Sequence, residues 1–194
     1  MSMRVRRSGP RPCRRLRDKA GIAGIALLLA GAVPAMGAEA GSLAGTVKLA
    51  GCPPAPRTLP VVKHKEVCGE TVPDDRLVVG HGGGVRYAVV TIEGVKGGET
   101  AERDVTHVLD NRACRFDPHV LVAEVGQWLE IRNSDPILHN ADAWMGHDPI
   151  FNVAVPPGMV KRKPLVRPGL IAIKCDVGHT WMSAFVDVAE NPYH

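Results

Sequence analysis

Aromatic residues are scarce in this 194-residue chain, with three Trp, two Tyr and three Phe. No segment holds a helical hydrophobic period over three turns, which argues against a helical bundle. No apolar run approaches the roughly 20 residues of a membrane span. Basic charge is also missing from most of the chain. Residues 1–38 hold eight Lys or Arg and one acid, Asp18, so the formal charge of +4 falls to about −3 once they are set aside. That removes the electrostatic basis for binding nucleic acid. The glycine cluster Gly80–Gly84, with His81 inside it, lacks the Lys-Ser/Thr and the helix of a phosphate loop, and reads as a hairpin loop. No Ser–His–Asp order, paired-carboxylate motif or nucleotide fingerprint appears.

What is abundant is Val, Gly and Pro, with 21 Gly and 16 Pro. This favours short strands and turns. At the N-terminus an Arg-rich stretch precedes an apolar run, Ala20–Val33, and small residues follow at Ala35, Gly37, Ala38 and Ala40. Basic, apolar, small is the order of a secretory signal peptide, here residues 1–40. The alternative is an uncleaved anchor, but about 14 apolar residues is short for one. The expected location is periplasmic or secreted, with no membrane span after signal removal.

Strands are expected over Ser42–Leu49, Leu77–Val79, Val85–Glu93, Val105–Leu109, Val120–Val125 and Gln127–Asn133. Further ones follow over Phe151–Val155, Met159–Val166, Leu170–Cys175 and Ala184–Val188. In Gln127–Asn133, Leu129 and Ile131 alternate with Glu130 and Arg132, so the first pair faces the core. Residues 141–149 read as an excursion. Short strands with regular turns predict an all-β fold, a Greek-key β-sandwich with an N-terminal β extension. The expected division is 41–117 for the extension and 118–190 for the core. Lys161-Arg162-Lys163 reads as an exposed edge strand, where Lys discourages pairing.

Four cysteines follow the signal: Cys52, Cys68, Cys114 and Cys175. An oxidising compartment permits a disulfide. Cys68–Cys114 is the favoured pair, because both precede strand-like segments and neighbour turn residues. Cys52 is then free. Sequence alone does not fix connectivity.

The chemistry concentrates in Cys175-Asp176-Val177-Gly178-His179-Thr180-Trp181-Met182, with His139 upstream. Ile171, Ile173 and Cys175 share one strand face, so the thiol points to the core. A shielded thiol suits a soft metal better than an exposed nucleophile. Two His, one Cys and a weak Met are the ligand set of a mononuclear blue-copper electron-transfer site. Zinc fits less well, since Met is a poor zinc ligand. Trp181 is placed to cover such a site.

Residues 118–189 resemble the cupredoxin (type-1 copper) superfamily, plastocyanin and amicyanin type. The resemblance rests on the Gly126 turn, Asn133…His139-Asn140, Pro157-Gly158, Pro168-Gly169 and Cys175…His179…Met182. It implies one type-1 copper, with His139, Cys175 and His179 as equatorial ligands and Met182 axial. Asn140 would tie the His139 segment to the Cys175 loop, with Asp176 and Trp181 also around the site. The chain departs from the family in placing three residues, not two, between Cys175 and His179. Gly178 can absorb the insertion through a positive φ. Asp142 stands where some relatives have a His, and His147 is either a substitute for it or a surface residue of the 141–149 excursion.

The implied function is single-electron transfer to a redox protein partner through an exposed edge of His179, without enzymatic activity. Alternatives are a copper delivery, storage or sensing module, or an interaction domain whose metal site has lapsed. His119 reads as a structural histidine, and His64, His81 and His107 as solvated. Trp144 and Met145 either rim the site or cap the sandwich.

Overall fold

The computed structural model describes residues 44–92 and 102–193, so the expected signal segment 1–40 lies outside the described residues. Eleven strands and one short helix are present among them. The N-terminal part holds β1 (Thr58–Pro60), α1 (Lys65–Cys68) and β2 (Thr71–Pro73), with β1 and β2 paired antiparallel. Val61 and Val72 bury the inner side of this hairpin.

The rest is a sandwich of two sheets. The strands are β3 (Thr106–Arg112), β4 (Arg115–Asp117), β5 (Val120–Glu124), β6 (Trp128–Asn133) and β7 (His139–Met145). They continue with β8 (Asp148–Val155), β9 (Val160–Pro164), β10 (Gly169–Lys174) and β11 (Ser183–Ala189). One sheet has the order β5-β11-β10-β7-β8 and the other β4-β3-β6-β9. Two pairs are parallel, β5 with β11 and β3 with β6. The others are antiparallel, which gives the Greek-key sandwich expected from the sequence.

The inner faces follow the period of two. Leu129 and Ile131 are fully buried, while Glu130 is partly covered and Arg132 exposed. Leu109, Phe116, Leu129 and Ile131 of one sheet meet Ala141, Ala143, Ile171, Ile173, Ala184 and Val186 of the other. Each large aliphatic side chain buried there stabilises the fold by about 1.5–3 kcal/mol. At Gly126 (φ +96°) and Gly158 (φ +70°) the turns take a left-handed conformation that favours glycine. β9 is an edge strand, as the Lys161-Arg162-Lys163 pattern implied.

Three expectations require correction. β3 and β4 are integral to the second sheet, so the sandwich draws strands from before residue 118. The region 141–149 is mostly a hairpin of β7 and β8, joined at Gly146-His147. Its inward residues are Ala141 and Ala143, whose weak strand propensity hid the pattern. The strands expected at Ser42–Leu49, Leu77–Val79 and Val85–Glu93 are reduced to isolated bridges, Lys48 to Gly84 and Val79 to Val85 (residues 42, 43 and 93 lie outside the described ones). Gly80–Gly84 forms the turn between the last two, closed by Gly80 N–H donating to Gly84 O at 2.9 Å.

Candidate metal centre

β10 carries Ile171, Ile173 and the following Cys175 along one face, and all three are buried. β7 lies antiparallel beside β10, with Asp142 opposite Lys174. The start of β7, His139, therefore reaches the same end of the sheet as Cys175. The chain then leaves β10, passes Gly178 (φ +100°), and returns to β11 through a turn in which Met182 N–H donates to His179 O at 2.9 Å. Met182 is buried in the same core cluster as Cys175.

Three donor atoms meet there. Cys175 Sγ lies 3.8 Å from His139 Nδ1 and 3.5 Å from His179 Nδ1, and the two Nδ1 atoms are 2.9 Å apart. Both imidazoles are fully buried. A triangle with these sides has its centre about 2 Å from each corner, close to metal–nitrogen bond lengths.

The outer ring nitrogens are both engaged. His139 Nε2–H donates to Asp135 Oδ2 at 3.0 Å, which leaves Nδ1 as an acceptor. His179 Nε2 shares a 2.8 Å hydrogen bond with His64 Nδ1. One proton shared between the two Nδ1 atoms, 2.9 Å apart, satisfies this contact in the metal-free protein, and a bound cation would take that proton's place. The donor set thus fits a soft or borderline metal ion.

Burial dominates the electrostatics. It pushes the Cys175 thiol above its ordinary value. It holds His139 below its ordinary value despite Asp135. It lowers His179 to about 4, helped by charge on His139, His64 and Lys63. Asp176 is raised by burial and by a hydrogen bond with Asp142.

Around the donors, Asn140 Oδ1 accepts from Asp176 N–H at 2.6 Å, which ties the His139 strand to the Cys175 loop. Asn140 Nδ2 donates to Asn152 Oδ1. The Trp181 ring packs 5.2 Å from that of His179, and its Nε1–H donates to Cys114 O. A disulfide joins Cys68 to Cys114, and Cys52 is free and exposed.

Two parts of the site were not assigned to it from the sequence. Asp135 accepts from Ala113 N–H and Cys114 N–H, both at 2.8 Å, besides His139. Its place four residues before His139 was the available signal. His64 was expected to be solvated, yet it packs on His179 with ring centres 5.1 Å apart. Consequently His179 has no exposed edge, contrary to the expected electron exit. His64 is 115 positions from His179, and only its nearness to Cys68 hinted at a link.

Other residues are elsewhere. Trp144 and Met145 sit toward the Gly169 end of β10, away from Cys175, and His147 is exposed in the β7–β8 turn. His119 Nδ1–H donates to Ser183 O at 2.8 Å, so His119 is a satisfied structural histidine. His107 is half-buried and bonded to Gln127, so it is not simply solvated, whereas His81 is exposed.

No protein-family model and no curated protein matches the chain. Solved structures do match. A Cu-containing nitrite reductase from Thermus scotoductus SA-01 is 23% identical over 50% of this chain and 25% of its own, with a TM-score of 0.42. A purple cupredoxin from Nitrosopumilus maritimus is 22% identical over 44% of this chain and 100% of its own, TM-score 0.38. A reduced amicyanin variant is 18% identical over 47% and 87%, TM-score 0.40. The match thus spans a quarter of the nitrite reductase chain. Among the described residues no helix is long and apolar enough to cross a membrane. The two sheets, with their parallel pairs β3–β6 and β5–β11, make the fold a two-layer β-sandwich.

Proposed function

We propose that this is an exported copper protein whose mononuclear type-1 site serves single-electron transfer with a redox protein partner. The observation that carries the reading is the convergence of His139 Nδ1, His179 Nδ1 and Cys175 Sγ in a buried pocket, with each imidazole's outer nitrogen already engaged. When bound, copper supplies a one-electron couple between Cu(I) and Cu(II). His139, Cys175 and His179 would hold it, and Met182 would stand as a weak fourth ligand. Asp135, Asn140 and the packed sheets keep the donors in place, and Trp181 limits water access, which tunes potential.

The first forty residues support export, and the Cys68–Cys114 disulfide suits a periplasmic or extracellular setting. Delivery of copper is the weaker reading, because a fully buried His179 favours retention over release. The lapsed-site reading is disfavoured by the intact donor triangle.

Visible absorption and EPR spectra during Cu(II) titration test the proposal, with Cys175→Ala alongside. An intense blue band with narrow hyperfine splitting, lost in the variant, is expected. Colourless protein with ordinary tetragonal copper signals would sink the electron-transfer reading.

A further inference from the structure

The segment between β1 and β2 crosses the candidate ligand loop. Val61 anchors one end, buried, with its N–H donating to Glu70 O at 2.9 Å. The Cys68–Cys114 disulfide ties the other end to the sandwich. Between them, two side chains reach the loop. Lys63 Nζ donates to Val177 O at 2.8 Å, and His64 Nδ1 meets His179 Nε2 at 2.8 Å. A Cβ added to Gly178 would lie 2.8 Å from Lys63 Cδ. The Val177–Gly178 stretch thus supplies Lys63 with a carbonyl and with room for its chain.

The backbone at this junction is held in an uncommon state. His64 (φ 55°), Ala113 (φ 50°) and Cys114 (φ 54°) all occupy the left-handed region. Such conformations persist in non-glycine residues where surrounding contacts enforce them. Cys114 is also a shared anchor. Its N–H donates to Asp135, which holds His139, and its carbonyl accepts from Trp181, which packs on His179. The strap therefore enters where the supports of both imidazoles meet.

Resting on the copper reading above, we propose that Lys63 and His64 form a built-in cap of the metal centre, in which His64 is the positioning residue for His179. By accepting the Nε2 proton, His64 leaves Nδ1 free to face the metal and fixes the ring plane. By filling the space beyond the ring, it closes the route by which water or a competing chelator would reach the ligand. Lys63 holds the Val177–Gly178 stretch beneath the cap. Copper entry and loss then require the strap to lift.

The test uses ¹⁵N-labelled protein purified from cells expressing the full chain, as wild type, His64→Ala and His64→Gln. Blue colour of the Cu(II) form reports the thiolate site independently of the cap. In the Cu(I) form, the His179 Nε2–H resonance is expected to exchange slowly with water in the wild type and rapidly in His64→Ala. Copper transfer to the Cu(I) chelator bicinchoninate is expected to be about 10- to 100-fold faster in His64→Ala, the size of effect typical of lost outer partners. His64→Gln, which keeps a side-chain acceptor, is expected to restore much of both signals. If His64→Ala does not fold, Lys63→Met, which removes the hold on Val177 O, is expected to speed copper loss in its place. A blue His64→Ala with an unchanged Nε2–H and unchanged copper loss, or a blue Lys63→Met with unchanged copper loss, would overturn the cap alone. A colourless wild type would overturn the copper reading and the cap together.

Discussion

Asp135 shows how much one buried side chain can organise. Its carboxylate accepts Ala113 N–H, Cys114 N–H and His139 Nε2–H, and the residue is 8% exposed. Removing it leaves three donors without their partner. Unsatisfied buried donors are costly, so Asp135→Ala is expected to destabilise the metal-free protein by about 3 kcal/mol. It also releases the His139 ring, so Cu(I) affinity should drop by about 10- to 100-fold. Denaturant melts and a competition titration separate the two effects. An Asp135→Ala protein with wild-type affinity would show that the sheet alone orients His139. Asp135→Asn keeps an acceptor oxygen for part of the network and should fall between.

At the scale of elements, the β10–β11 loop and β7 supply every proposed ligand, while the strap between β1 and β2 supplies none and acts on them through His64 and Lys63. This separates stability from colour. The Cys68–Cys114 bridge closes a sequence separation of 46 residues. A loop of that length corresponds to about 4 kcal/mol in the chain-entropy account. Cys68→Ser with Cys114→Ser should therefore lower the melting temperature by roughly 10 °C. The blue band should remain, because no ligand belongs to the strap. Loss of the band in a folded double variant would mean that the strap builds the site and does not merely close it. The elements also differ in how openly the sequence announced them. β6 alternates Leu129 and Ile131 with Glu130 and Arg132, and β10 places Ile171 and Ile173 in step with Cys175, so both were legible. β7 buries both faces with His139, Asn140, Ala141, Asp142 and Ala143, so no alternation was there to read. The bridges at Lys48 and Val79 follow strand-like composition that never gains a full ladder, since pairing depends on partners the local sequence does not name.

For the whole molecule, the sandwich and the Cys175–His179 spacing were readable because period and spacing are local signals. The cap was not, because His64 and His179 meet only through the folded topology. The folded whole also sets a pH dependence that no isolated residue has. Burial lowers His139 and brings His179 to about 4, against 6.5 for a free imidazole. The folded protein therefore resists protons that the unfolded chain accepts. Stability from these groups is present above pH 6.5 and is lost as pH falls from there toward about 4. The buried thiol acts in the same direction on metal binding. Cys175 is held above its ordinary value, so loading the site must displace its proton, and binding tightens as pH rises. A bound ion stabilises by mass action in proportion to the logarithm of its affinity. The melting temperature of metal-free protein should thus fall between pH 7 and pH 4.5, and the extra stability given by Cu(I) should shrink over the same interval. Calorimetry of both forms at these two pH values measures it. A gap that stays constant would mean that the thiol and imidazoles do not exchange protons for metal, and the three donors would then have to act as a neutral polar cluster in the core.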